Sequence, residues 1–214
     1  MQTIDFQNWS RMNHYEFFKT FNHPHFNMCA NVDLTKFHPY VKVHRFSMTA
    51  AIMYMIARAA NAIPEFRQRI RGEEIVEHET VSPSVTILVE NELFSFCTID
   101  YYRDFARFAD RATRQIAAVK DNPTLKDPPG RDDLLYMTAI PWVSFTSFTH
   151  PMKQHPADSI PRFAWGKIFE EGNLLKMPLS VQGHHALMDG IHMGKFYEEI
   201  QSYFSQPEEV LNSI

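Results

Sequence analysis

The tightest constraint in this sequence lies near its C-terminal end, where an alternating run passes straight into an amphipathic one. In 174–182 (LLKMPLSVQ) the apolar residues Leu175, Met177, Leu179 and Val181 fall at every second position, the period of a strand with one buried face. Around 190–204, Met193, Phe196, Tyr197, Ile200 and Tyr203 recur at helical spacing. Residues 48–62 (MTAAIMYMIARAANA) are strong helix formers with Pro64 just beyond, and 104–119 carries one apolar face through Phe105, Phe108, Ala112 and Ile116. Residues 84–99 predict two strands around a polar turn at Glu90–Glu92, and the proline-rich, charged 120–133 predicts a loop. These elements keep no βαβ rhythm, so the expected architecture is a mixed β-sheet covered by helices. No repeat or linker divides the chain, and one domain over 1–214 is expected.

Composition removes several classes of function. A net charge of −4 offers no basic surface for nucleic acid. Two cysteines, Cys29 and Cys97, make neither a disulfide framework nor a zinc site by themselves. The most apolar stretch, 50–60, is short and contains Arg58, too little to span a bilayer. The opening residues show no apolar segment behind a basic start, which makes the cytoplasm the expected location.

The junction between strand and helix, VQGHHALMDGIHMGKF at 181–196, holds the richest chemistry. Asp189 before Gly190 suits a helix N-cap. His184 and His185 then occupy the turn, where a side chain can be held rigidly and still reach a cleft. Three readings stand side by side here. His184, His185, Asp189 and His192 are metal-ligand types, although neighbouring histidines in extended backbone point to opposite faces. A capped helix with incidental histidines is the plainest reading. The third is a general base, since an imidazole is mostly neutral at pH 7 and can accept a hydroxyl proton.

Longer segments bear on the choice. HHALMDGIHMGKF, IPWVSFTSF at 140–148, NWSR followed by HYEFF at 8–18, PLSVQ at 178–182 and PEFRQRI at 64–70 occur together in one order. In that order and spacing the chain resembles the chloramphenicol acetyltransferase family over nearly its whole length. The resemblance implies an α/β fold, a two-layer α+β sandwich, assembled as a homotrimer with active sites at the subunit interfaces. Dihydrolipoyl acyltransferase domains share that fold and the His-x-x-x-Asp-Gly element. The resemblance also implies acetyl-CoA as co-substrate with no permanently bound cofactor and no metal, and a small acceptor such as chloramphenicol.

Carried over position by position, His185 matches the family's base, and Asp189 its aspartate, paired with an arginine that falls on Arg11. The oxyanion donor, a serine in the family, falls on Thr138. Lys167 matches a CoA-binding lysine; a second such lysine falls on Ser47, with Arg45 close by to compensate, and a threonine that binds water falls on Ala164. Phe17, Phe18, Phe26, Phe94, Phe96 and Phe148 are implied in the aromatic wall of the acceptor pocket. The pocket also departs from the pattern: Phe96 replaces a small residue, Tyr136 an asparagine, and His150, Asp158 and Arg162 stand at apolar or aromatic positions. These departures leave room for another hydroxyl or thiol acceptor, or for a module that only sequesters a ligand.

Overall fold

The computed structural model describes residues 1–152 and 157–212. The N-terminal half contains β1 (Gln2–Thr3), α1 (Met12–Phe18), β2 (His25–Asp33), α2 (Phe37–Val43), α3 (Met48–Ala62) and α4 (Pro64–Arg67). Then come β3 (Gln68–Arg71), β4 (Glu74–Glu77), β5 (Ser82–Leu88), β6 (Phe94–Thr98), α5 (Phe105–Asp121) and β7 (Leu134–Ile140). The chain closes with β8 (Arg162–Gly166), β9 (Phe169–Glu171), β10 (Leu174–His184), α6 (Gly190–Ser205) and α7 (Pro207–Leu211).

The three helices expected from the sequence appear as α3, α5 and α6, whereas the short α1, α2, α4 and α7 were not foreseen. α3 begins where the Ser47 hydroxyl accepts the Ala50 amide at 3.3 Å, and ends where Ile63 turns extended ahead of Pro64. Its alanines and methionines leave no polar face, and residues 50–57 are buried all round. α5 is capped by Asp104, whose carboxylate accepts the Arg107 amide at 2.6 Å, and buries Phe105, Phe108 and Ala112.

The main sheet runs β2-β10-β8-β7-β5-β6, with β9 beside β10. β7 is parallel to both β5 and β8, whereas the remaining pairs are antiparallel, so the sheet is mixed. β1, β3 and β4 form a separate three-stranded sheet. Side chains alternate across the main sheet with period two. Val85, Cys97, Met137, Phe163, Leu179 and Val181 point into the core shared with α3, α5 and α6. The opposite face carries two polar rows. One follows the paired residues Ser84, Tyr136, Arg162, Gln182 and Asn27; the next passes through Thr138, Ala164, Ser180 and Cys29.

β10 differs from the half-exposed strand its alternation predicts. Every residue from Met177 to His184 is buried. The Ser180 hydroxyl donates to the Phe148 carbonyl, and the Gln182 side chain accepts the His150 amide. The segment after β7 thus covers the polar side of β10 and satisfies it, a long-range contact that leaves no period in the sequence. β2, whose residues show no clean alternation, pairs with β10 from Asp33 to His25 and places the His- and Phe-rich segment beside the histidine turn.

Candidate active site

Gly183 opens the turn. A Cβ there would lie 2.2 Å from the Met188 sulfur and 2.9 Å from Met193, so any larger residue would have to displace these buried side chains. His184 ends β10, and its carbonyl accepts the amides of Leu187 and Met188 at 2.9 and 3.1 Å. Ala186, Leu187 and Met188 are fully buried. His185 is pinned on both sides of its backbone: its amide donates to the Pro24 carbonyl at 2.7 Å, and its carbonyl accepts Arg11 Nη2 at 3.1 Å.

The two histidines meet opposite environments. His184 is 4% exposed, its Nδ1 accepts the Ala186 amide at 3.2 Å, and its ring meets His25 edge-on at 4.9 Å. Burial, reinforced by His25, holds its pKa down to about 3, so it stays neutral. His185 keeps 34% of its side chain exposed. Its ring stacks on Phe18 at 4.1 Å and lies 4.6 Å from Phe26. Its Nδ1 is buried and approaches Asp189 Oδ1 at 3.1 Å without the alignment of a hydrogen bond. Nε2 is therefore the nitrogen available for chemistry. The four candidate metal ligands do not converge: His184 turns to His25, and His192 Nδ1 accepts the Asp189 amide at 2.8 Å.

Asp189 stands at the N-cap of α6, and its carboxylate receives the Arg11 guanidinium through two contacts, 2.5 and 3.0 Å. The fork geometry suits a charge-assisted pair. Arg11 holds the carboxyl below its ordinary range. Sequence reasoning overlooked the support behind this cap, where His192 Nε2 lies 3.4 Å from Glu65 on α4. The PEFRQRI segment hinted at it, but nothing in the sequence joins Glu65 to a helix over a hundred residues away.

On the polar face of the sheet lies a cavity of about 820 Å³. Thr86 and Thr138 stand on its wall with their hydroxyls 3.4 Å apart, and Phe94, Phe96, Trp142 and Phe148 supply its rings. Tyr136, His150, Asp158 and Arg162 all line it, so the residues that depart from the family's pattern belong to the pocket itself. Arg162 donates to Asp158 at 2.5 Å and lies over the Tyr136 ring at 5.3 Å. Burial lowers the pKa of His150 to about 4.

The aromatic set expected to form one wall is divided. Phe94, Phe96 and Phe148 border the cavity, whereas Phe18 and Phe26 flank His185, and the largely exposed Phe17 packs on Phe18 and Phe21. His185, Asp189 and Arg11 are not among the cavity's lining residues. Lys167 is exposed between β8 and β9, its amide bonded to Val143. Arg45 is exposed between α2 and α3 with φ +57°, Ser47 is occupied in capping α3, and none of the three lines the cavity.

A mixed sheet roofed by helices on one face thus carries a half-exposed histidine backed by an ion-paired aspartate, and it is with acyltransferases that this arrangement is shared. The fold is shared with the dihydrolipoamide acetyltransferase of Azotobacter vinelandii, TM-score 0.71 at 12% identity over 93% of this chain and 88% of that one. A solved chloramphenicol acetyltransferase superposes with a TM-score of 0.84 at 27% identity, covering 95% of this chain and 99% of that one. The chloramphenicol acetyltransferase family model matches residues 1–201. An Escherichia coli chloramphenicol acetyltransferase is 32% identical over 202 residues, 94% of this chain and 92% of the relative, and one from Bacillus pumilus is 30% identical over 209 residues. The chain belongs to the chloramphenicol acetyltransferase family.

Proposed function

We propose that this protein transfers an acetyl group from acetyl-CoA to a hydroxyl of chloramphenicol, with His185 as general base. The observation that carries this reading is the environment of His185: backbone pinned on both sides, ring stacked on Phe18, and a share of the side chain left open. Nε2 takes the hydroxyl proton as the oxygen attacks the thioester carbonyl. The tetrahedral intermediate then collapses, the carbon–sulfur bond breaks, and the imidazolium returns its proton to the CoA thiolate. Thr138 is the proposed oxyanion donor from the cavity wall. Lys167 and Arg45 are the proposed cations for the phosphates of CoA. The Arg11–Asp189 pair holds the turn and places negative charge near the imidazolium as it forms.

We also propose a homotrimer in the cytoplasm. The division between His185 and the cavity supports it, because a neighbouring subunit can bring the imidazole of one chain to the cavity of another. Phe17 beside the histidine turn, and Leu88, Phe94 and Trp142 at the cavity, are large apolar residues left exposed in the single chain. Drug resistance would follow from acetylation of the drug. The test is release of CoA, detected with a thiol reagent, from purified protein supplied with acetyl-CoA and chloramphenicol. Turnover that falls by about 10²–10⁴ in His185→Ala supports the reading. Turnover that survives the substitution refutes it. A second acceptor reading, another hydroxyl or thiol compound, is favoured by the ion pair and tyrosine on the cavity wall.

A further inference from the structure

The cavity floor is the polar row of the sheet, and the charges of its described lining residues do not balance. Asp158 is matched by Arg162, which also donates to the Ile160 carbonyl at 2.9 Å. Asp127 enters the wall from the loop after α5, and its Oδ1 is held by the Ser84 hydroxyl at 2.6 Å. Among the described residues no cation forms an ion pair with Asp127, nor with Glu92 at the rim. Among the described residues the cavity therefore carries three carboxylates against one guanidinium. Around them stand Phe96, Tyr136, Phe148 and Trp142.

An unpaired carboxylate among apolar walls is expensive to keep dry and attracts a counter-charge more strongly than one in open water. Aromatic faces add to that preference, because a ring quadrupole draws an ammonium ion and not an anion. Ser84 orients Asp127 from the β5 side, so the carboxylate is placed by the sheet and not only by its loop. Chloramphenicol is neutral and supplies no charge to meet it.

We propose that the cavity selects acceptor alcohols that also carry a protonated amine, with Asp127 receiving the ammonium group and Glu92 assisting from the rim. This rests on the reading of the cavity as the acceptor site. The hydroxyl remains the group acylated, since a protonated amine has no lone pair to attack the thioester.

Two probes share the nitrophenyl propanediol skeleton and its primary hydroxyl: chloramphenicol, and the N,N-dimethyl derivative of its deacylated amine. Calorimetry on the full-length protein gives the affinity for each, and CoA release gives turnover with each. In Asp127→Asn the ratio of amine affinity to chloramphenicol affinity is expected to fall roughly ten- to hundredfold, the worth of a hydrogen bond to a charged group. Glu92→Gln is expected to lower it less, and added salt to shrink the wild-type ratio. A ratio left unmoved by Asp127→Asn overturns the proposal, whatever happens to turnover. If neither probe releases CoA while the ratio still falls in Asp127→Asn, the transfer reading fails and the recognition proposal stands.

Discussion

Replacing Asp189 by asparagine tests how firmly the histidine turn is held. Arg11, only 9% exposed, loses its countercharge while its guanidinium stays in place under the turn. Removing one partner of a buried pair costs about 3–5 kcal/mol because the survivor is left buried and unmatched. With 28% of the Asp189 side chain open, solvent recovers part of that, and the Arg11 bond to the His185 carbonyl remains, so about 2–3 kcal/mol is expected. For a chain of this size that lowers Tm by roughly 5–10 °C. Melting should be followed by circular dichroism at fixed subunit concentration, since the proposed assembly would make Tm depend on concentration. Arg11→Met combined with Asp189→Leu removes both charges and should recover part of the loss, because a well-packed apolar pair needs no desolvation. An Asp189→Asn protein that melts with the wild type would refute the pair as the clamp of the turn. So would a double variant no better than the sum of the single ones.

Other expectations follow from the same geometry. Gly183→Ala should destabilise the fold and lower activity together, because the added methyl meets Met188 at 2.2 Å; thermal melting and CoA release check it. Thr138→Val keeps the shape of the wall without the hydroxyl, and should lower kcat by about 10²–10³ if Thr138 donates to the oxyanion; an unchanged kcat removes Thr138 from that role. Acid should weaken the fold through its buried histidines: burial lowers His184 to about 3 and His25 and His150 to about 4, against ~6.5 in the unfolded chain. Stability is then full above ~6.5 and falls as the unfolded chain takes up protons, by about 1.4 kcal/mol per pH unit for His184 alone. Urea titrations at several pH values between 7 and 4.5 measure the slope, and a flat profile contradicts the burial of these rings.

Much of the helical layer was legible because its cause is local. The run 48–62 carries helix formers, a serine cap and a following proline, and α3 spans those residues. The strands were harder for a physical reason. β7 and β8 sit in the middle of the sheet, where Leu135, Met137 and Phe163 face the helices and Tyr136, Thr138 and Arg162 face the cavity, so both faces are occupied and the pattern loses its contrast. The site divides in the same way. His185 and Asp189 carry a recognisable spacing, and Arg11 is reached only through the family resemblance of its NWSR segment. The Ser84–Asp127 contact and the Glu65–His192 contact carry neither signal, because each joins segments whose only relation is the fold.

What decides between two adjacent imidazoles is register. Successive residues of a strand face opposite sides, so a slip of one position along β10 would exchange His184 for His185 at the open side of the turn. Several contacts oppose that slip at once. Met177, Leu179 and Val181 fill the helix-facing core, Ser180 and Gln182 are tied to the segment after β7, and Asn27 on β2 donates to Ser180 at 2.7 Å. Shifting the strand would bury both polar side chains against the helices and turn three apolar ones toward the polar row. The penalty of unmet hydrogen bonds alone, about 1–3 kcal/mol for each buried polar group, makes the alternative pairing uncompetitive. The base proposed for this enzyme is therefore chosen by residues well upstream of it in the same strand, and the glycine at 183 lets the chain turn before the selected ring can be drawn back into the sheet.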